Sequence, residues 1–137
     1  SGQTQAFSNP HGQGSICGPT VIQLSDNTYL MFYKYEASEE DASPYGHQVY
    51  TATSPDGLTW TPTLTLVRDH ASVPGAVRID DTIYLYFVDG EADSLGVGIS
   101  TDEGSSFEFQ SVTIPDTQEE GNHVDPNPVA LESDAGV

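Results

Sequence analysis

Basic residues are almost absent from this 137-residue chain. Lys34, Arg68 and Arg78 are its only lysines and arginines, against 21 aspartates and glutamates, so the formal charge is -18 at pH 7. Phosphate backbones and anionic membrane surfaces repel such a protein, so neither nucleic acid nor a membrane is expected as a partner. The charge suits a soluble surface, and the scarcity of lysine equally suits a halophilic protein whose carboxylates are screened by salt.

Cysteine and long apolar runs are also scarce. Cys17 is the single cysteine, which excludes an internal disulfide, and its neighbours Ile16 and Val21 favour a buried thiol over a nucleophile. No stretch approaches the ~18 apolar residues of a membrane span, so no membrane insertion is expected. We expect an extracellular or cell-surface protein, with the polar residues at the start as the exposed tail left by signal removal.

What the chain does contain is a unit that occurs twice and begins a third time. Residues 19–24, 74–79 and 126–131 align without gaps, and their first prolines are 55 and 52 residues apart. Each complete unit continues with an aromatic-rich segment of strand composition and then a third short strand. Several short strands per repeat of about fifty residues are typical of a β-propeller, in which each repeat forms a four-stranded blade.

Each complete unit also closes its third strand with a turn of similar sequence. Residues 100–107 read Ser-x-Asp-x-Gly-x-x-aromatic, and residues 54–60 are the same motif shortened by one residue. Aspartate and glycine in such a turn accept backbone hydrogen bonds and adopt a positive φ, respectively. The predicted structural positions are Ser54, Asp56, Gly57 and Trp60 in the first unit, and Ser100, Asp102, Gly104 and Phe107 in the second.

This turn is the Asp-box, and the chain resembles the propeller glycosidases, namely the sialidase-like proteins and the five-bladed group around glycoside hydrolase families 32 and 43. The resemblance covers residues 14–131, about two and a third blades. It implies an all-β fold of four-stranded antiparallel blades that belongs to a five-bladed propeller. The predicted division is a tail or closing strand over 1–16, blades over 17–68 and 69–121, and the inner strand of an incomplete third blade over 122–137.

The resemblance also implies a glycan or oligosaccharide as ligand, and glycoside hydrolysis by carboxylates at the central axis. Asp125, in the run His123-Val124-Asp125-Pro126, resembles the Asp-Pro start that holds a catalytic carboxylate in that group. The alternative is that Asp125 only caps backbone N–H groups at the start of a strand. Gly18 and Val73 occupy the matching positions and carry no acid, so the catalytic set is incomplete in this chain.

Groups that would orient the substrate are Asp69, His70, Arg78 and His123. Arg78 is suited to hold a sugar carboxylate, but neutralisation of its acidic neighbours Asp80 and Asp81 is favoured. Aromatic residues on the second strands offer stacking surfaces, although packing between blades is favoured: Tyr33, Tyr35, Tyr84, Tyr86 and Phe87.

No cofactor is predicted. The chain has no Asp-x-Asp-x-Asp-Gly run followed by a glutamate, so calcium has no motif to support it. His11, His70 and His123 each precede a predicted inner strand, yet their loops impose no tetrahedral zinc geometry, and hydrogen-bonded structural histidines are favoured.

A second hypothesis comes from the incomplete third unit. The inner strand of that unit would leave an unpaired edge, and such an edge is a template for another strand. The chain would then be a non-catalytic binding or self-assembling module that pairs with further copies of itself or with the remaining blades of a larger chain.

Overall fold

The fold is built from β-strands. A computed structural model describes residues 6–38, 44–113 and 126–131. The first sheet contains β1 (Ser15–Gln23), β2 (Tyr29–Glu36), β3 (His47–Ser54) and β4 (Thr61–Asp69). The second contains β5 (Ala71–Ile79), β6 (Thr82–Asp89), β7 (Ser94–Ser100) and β8 (Glu108–Val112). The helix of the described residues is a single 3-10 turn at Pro44–Gly46, and the all-β prediction is confirmed.

Both sheets are antiparallel and have the same topology. Strands adjacent in sequence are adjacent in space, in the orders β1-β2-β3-β4 and β5-β6-β7-β8. The first strands of the two sheets, β1 and β5, lie against each other, and the backbone N–H of Ala76 donates a 3.0 Å hydrogen bond to Thr20 Oγ1. The repeat seen in the sequence is therefore a repeat of whole sheets.

The main hydrophobic core lies between the two sheets. Side chains alternate between the faces of a strand, so one face of β2 and one face of β6 can meet. Phe32 from β2 and Leu85 from β6 are fully buried there. The cluster comprises Ile22, Leu30, Phe32, Val49, Ala71, Ile83, Leu85 and Phe87. Burying a side chain of this size contributes about 1.5–3 kcal/mol, so this layer holds the sheets face to face.

The opposite face of the first sheet carries a second, aromatic core. Tyr33 and Tyr35 are buried, and they are covered by the segment that precedes β1. The Phe7 ring lies 5.4 Å from that of Tyr33, and the His11 ring stacks on Tyr35 at 3.9 Å. The outer face of the second sheet carries Tyr84 and Tyr86, which are only half-buried.

The two Ser-Asp-Gly turns share one hydrogen-bonding pattern. In the first, the Ser54 hydroxyl donates to Asp56 and accepts from the N–H of Gly57 at 2.8 Å. In the second, the Ser100 hydroxyl donates to Asp102 and accepts from the N–H of Gly104 at 2.9 Å. Both turns lie where β1 and β5 end, because Ser54 pairs with Tyr29, the first residue of β2, and Ser100 pairs with Ile83, the second residue of β6.

The aromatic residues that end these turns are anchored differently. The Trp60 indole N–H donates to the carbonyl oxygen of Gly57 at 3.1 Å, which closes the first turn upon itself. Phe107 instead packs edge-on against Phe32 at 5.8 Å, so the second turn is joined to the core between the sheets.

The hydrogen bonds to Asp102 in the second turn should make the stability of the fold depend on pH in the acid range. The Ser106 hydroxyl and backbone N–H, with the Ser100 hydroxyl, lower the pKa of Asp102 from 3.8 to about 2. A carboxylate with a depressed pKa stabilises the fold above its unfolded pKa and loses that contribution as pH falls. The destabilisation caused by Asp102→Asn should therefore shrink between about pH 4 and pH 2 in urea titrations.

The control for this prediction is Glu108→Gln, which removes an exposed carboxylate from the outermost strand. Relief of the overall negative charge affects both variants alike, so comparing the two isolates the turn. A free-energy difference for Asp102→Asn that stays constant across this pH range would contradict the assignment.

The third repeat is described only in part. Residues 126–131 pass close to β5 but form no strand there, although an inner strand is predicted. A Cβ placed on Gly75 would lie 2.3 Å from the Pro126 carbonyl oxygen, so this approach requires glycine. Among the described residues, no helix is long and apolar enough to cross a membrane.

Candidate functional site

The three repeated prolines, distant in sequence, surround one cleft. Pro19, Pro74 and Pro126 line a space of about 380 Å³, together with the residues next to them. The complete lining is Gly18, Pro19, Val73, Pro74, Pro126 and Asn127. We call this space the inner-strand cleft, because two of its walls are the starts of β1 and β5.

The backbone is unusual at the matching positions in the two walls. Gly18 has φ 61° and Val73 has φ 42°, both in the left-handed region. Each lies in a bulge, where the register of β1 against β2 and of β5 against β6 shifts. A β-branched residue rarely adopts a positive φ, and such strain, about 1–3 kcal/mol, concentrates at functional sites. Gly18 before Pro19 was a sequence signal for a positive φ at this position. Val73, at the matching position before Pro74, gave no such signal.

A buried polar chain supports the wall formed by Val73. His47 Nδ1 lies 2.8 Å from the Ser72 hydroxyl, and His47 Nε2 lies 3.3 Å from a Glu36 carboxylate oxygen. Lys34 Nζ is 3.4 Å from the same oxygen. Because His47 and Ser72 belong to different sheets, this chain ties the strained bulge of β5 to the ends of β2 and β3. The sequence analysis missed it because no repeat or motif marks these positions.

The predicted substrate-orienting residues Asp69 and His70 lie at the end of the sheets where β5 begins. Asp69 accepts hydrogen bonds from Gln48 Nε2 at 3.0 Å and from the His70 N–H at 2.9 Å. The hydrogen bond from Gln48 is the larger cause that lowers the pKa of Asp69. The His70 ring is stacked on Tyr45, with 3.9 Å between the ring centres. Asp69 is thus a fixed carboxylate at the end of the fold where β5 begins.

Arg78 does not lie with Asp69 and His70. It is near the end of β5, roughly 25 Å along the strand from His70. Its guanidinium donates to the Gln23 carbonyl oxygen at 3.1 Å and pairs with Glu103 at 3.0 Å. Contacts with the Asp80 carbonyl and the Asp81 carboxylate complete its surroundings. These contacts bridge the two sheets and favour the structural alternative for Arg78.

All three cationic side chains of the chain have carboxylate partners. Besides Lys34 and Arg78, Arg68 lies 3.9 Å from Asp89 and its guanidinium sits 4.5 Å from the centre of the Phe109 ring. An acidic ligand in the inner-strand cleft would therefore find no free lysine or arginine from this chain. Among the described residues, the cleft lining carries no charged side chain, and the net charge of -18 disfavours an anionic ligand.

Asp125 and His123 lie outside the described residues. Asp125 is nevertheless bonded to Pro126, which lines the inner-strand cleft. By sequence, Asp125 holds the position that Gly18 and Val73 hold in the other repeats.

Cys17 is exposed, which corrects the expectation of a buried thiol. Burial was inferred from its apolar neighbours, but Cys17 lines a shallow pocket with Ile16 and Met31 instead of packing into a core. Ile22, near the other end of β1, is the buried residue of this strand.

The histidines do not share a site among the described residues. His11 lies among Tyr33, Tyr35 and Tyr50, with Nε2 3.1 Å from the Tyr33 hydroxyl, and burial lowers the pKa of the imidazole. His70 has Tyr45 as its aromatic neighbour instead. In the part of the chain that the structure describes, no group of three or more His, Cys, Asp and Glu side chains could hold a metal ion.

Comparison with known proteins adds information on the fold. No family model and no curated protein matches the chain. A crystal structure of a protein of unknown function from Dyadobacter fermentans DSM 18053 is similar, with a TM-score of 0.63 and 18% identity. The match covers 82% of this chain and 40% of the Dyadobacter protein, so this chain spans about two fifths of the length of that protein. At this identity the likeness shows the fold alone.

Proposed function

We propose that the chain forms blades of a β-propeller that binds a neutral glycan in the inner-strand cleft and takes part in its hydrolysis. The observation that carries this proposal is the convergence of the three repeated prolines on one cleft. In a propeller the inner strands of successive blades surround the axis, where ligands bind. An extracellular or cell-surface location and adaptation to high salt remain part of the proposal.

The way the sheets stack supports the propeller. The face of β2 that carries Phe32 covers the face of β6 that carries Leu85. Phe32 and Tyr86 occupy matching positions in the two sheets. Phe32 pairs with Thr20 and Tyr86 pairs with Gly75, and each of these partners directly follows the repeated proline. The outer faces of the two sheets therefore correspond to opposite faces of the repeat, so more sheets can be added in the same sense. The shared hydrogen bonds of the two turns support their assignment as Asp-boxes.

In this proposal Asp125 is the base or nucleophile. Cleavage of a glycosidic bond requires one carboxyl group to protonate the leaving oxygen and a second to activate water or attack carbon. Gly18 and Val73 supply neither, so the proton donor must come from outside the matching positions of this chain. His123, two residues before Asp125, and Asp69 and His70 near the start of β5 are proposed to orient the sugar.

The Gly18→Asn variant tests whether the inner-strand cleft is the binding site. A Cβ on Gly18 would meet no atom within 4 Å, and asparagine tolerates its positive φ, so the new side chain should enter the cleft without disturbing the fold. We expect affinity for a neutral oligosaccharide to fall at least about tenfold, a loss of about 1.4 kcal/mol. Binding would be measured by calorimetry with arabinan, xylan and fructan oligosaccharides, and with sialyllactose as the acidic probe.

Gly12→Asn is the matched control. Gly12 also has a positive φ and open space around its Cβ position, but it does not line the cleft. Its affinity should equal that of the unaltered chain. Absence of binding to every probe, or equal affinity of Gly18→Asn and Gly12→Asn, would overturn the proposal.

A second candidate function is self-assembly, favoured by the outer face of the second sheet. Val77, Tyr84 and Tyr86 border a groove of about 550 Å³ that residues 126–129 cover only in part. The matching face of the first sheet, by contrast, is buried by its neighbour. Sedimentation analysis should give a mass above 14.7 kDa that rises with salt, because salt screens repulsion between acidic copies. A monodisperse monomer at every salt concentration would exclude assembly through this face.

A further inference from the structure

Tyr45 is a large aromatic side chain on the surface at the end of the molecule where β5 begins. It is 54% exposed, and its ring is nearly parallel to that of His70, at 16° and 3.9 Å. His70 covers one face of the tyrosine ring, so the exposed area is the other face and the edge. An open aromatic face packs well against the C–H bonds on one face of a sugar ring, because the π-system is electron-rich there.

The backbone around Tyr45 is held firmly. A Cβ placed on Gly90 would lie 2.4 Å from the Tyr45 backbone nitrogen, so the short helix of residues 44–46 packs directly on the turn after β6. The Gly90 N–H donates to the His70 carbonyl oxygen at 2.7 Å, and the His70 ring hydrogen-bonds to the Tyr45 carbonyl oxygen. His70 itself has φ 52°, a strained value that positions its ring under Tyr45. The ring is thus in place before a ligand arrives, which lowers the entropic cost of binding.

Polar groups that suit sugar hydroxyls lie beside this ring. The Asp69 carboxylate is 51% exposed, and one of its oxygens is 3.8 Å from His70 Nε2. Gln48 Nε2 donates a 3.0 Å hydrogen bond to Asp69 Oδ1, which holds the carboxylate in place. The Tyr50 hydroxyl donates in turn to Gln48 Oε1. Asp69 therefore has acceptor capacity left for hydroxyl groups, while its negative charge disfavours an acidic sugar.

The ring is also within reach of the inner-strand cleft. His70 precedes Val73, which lines the cleft, by three residues, a distance of about 10 Å along an extended chain. This span corresponds to an oligosaccharide rather than a single sugar. A ligand that enters the cleft with one sugar can therefore lay a later one on Tyr45.

We infer that Tyr45, backed by His70, stacks on a second sugar unit of a neutral oligosaccharide whose first unit occupies the inner-strand cleft, with Asp69 accepting hydrogen bonds from its hydroxyls. We call Tyr45, His70 and Asp69 the rim subsite. This inference rests on the proposed function, because it extends the same bound ligand. It makes the affinity depend on the length of the oligosaccharide.

The test compares a monosaccharide with a tetrasaccharide of the neutral sugar that binds the unaltered chain, by NMR titration. Tyr45→Ala should weaken tetrasaccharide binding about 10- to 100-fold and leave monosaccharide binding unchanged. Tyr45→Phe keeps the ring and should retain both affinities. Leu58→Ala, which truncates an 83% exposed side chain in the first Ser-Asp-Gly turn, is the control for loss of exposed apolar surface.

Gly90→Ala provides an independent variant that leaves every group of the rim subsite present. The added methyl must displace the backbone around Tyr45, so tetrasaccharide affinity should fall while monosaccharide affinity persists. Unchanged melting temperatures of the Tyr45 variants would show that the fold is intact.

The outcomes separate this inference from the proposed function. If Gly18→Asn abolishes binding but Tyr45→Ala binds the tetrasaccharide normally, the rim subsite is refuted and the cleft stands. If the monosaccharide and tetrasaccharide lose affinity equally in Tyr45→Ala, the subsite assignment is also refuted. If no probe binds the unaltered chain, both proposals fail.

Discussion

Replacing Asp125 with asparagine is expected to lower the rate of glycoside hydrolysis by about 10²- to 10⁴-fold, the usual contribution of a general acid or base. Asparagine has nearly the same shape, but it cannot accept a proton at neutral pH or attack carbon. Affinity for the oligosaccharide should change little, so the loss should appear in kcat rather than in KM. The measurement is release of reducing sugar from the neutral oligosaccharide that binds best, by the complete propeller, which would supply the proton donor that Gly18 and Val73 do not.

The matched control is Glu108→Gln, which makes the same change of carboxylate to amide on an exposed position of β8. It should retain full activity. Equal rates for the complete propeller with and without Asp125→Asn would leave Asp125 with the alternative role of capping backbone N–H groups. A variant that loses affinity and rate together would indicate that Asp125 binds the sugar and does no chemistry.

The architecture was accessible from the sequence because it is periodic. Short strands with alternating apolar residues and turns rich in Asp, Gly and Pro follow from local rules, and the repeat of Pro19 at Pro74 fixed where each sheet starts. The structure places the two sheets over residues 15–69 and 71–112. Local patterns succeed here because antiparallel sheets of adjacent strands depend on contacts near in sequence.

The site was less accessible because its parts come together only when the sheets pack. Ser72 meets His47 across the interface between sheets, and Tyr45 meets His70 through a loop of no particular periodicity. Neither pair has a counterpart in the other repeat, so aligning the repeats could not reveal them. Arg78 was grouped with His70 because the two are close in sequence, yet an extended strand carries them to opposite ends.

Truncating Phe32 to alanine is expected to destabilise the fold by about 3–5 kcal/mol. Phe32 is fully buried between the sheets and packs edge-on against Phe107 at 5.8 Å. Its removal leaves a cavity between the sheets that closes only if they shift toward each other and disturb the contacts around it. A domain is stable by only about 5–15 kcal/mol, so the urea midpoint should fall by a large fraction of its value. Leu58→Ala, at an 83% exposed position, should stay within about 0.5 kcal/mol.

Tyr86→Ala makes this prediction informative about the propeller. Tyr86 occupies the position of Phe32 in the second sheet but is half-buried, because residues 126–129 cover its face incompletely. Its truncation should therefore cost clearly less than that of Phe32 in the isolated chain. An equal cost would mean that another sheet or another copy covers Tyr86 as the second sheet covers Phe32. A cost below 1 kcal/mol for Phe32→Ala would contradict the packing of the two sheets itself.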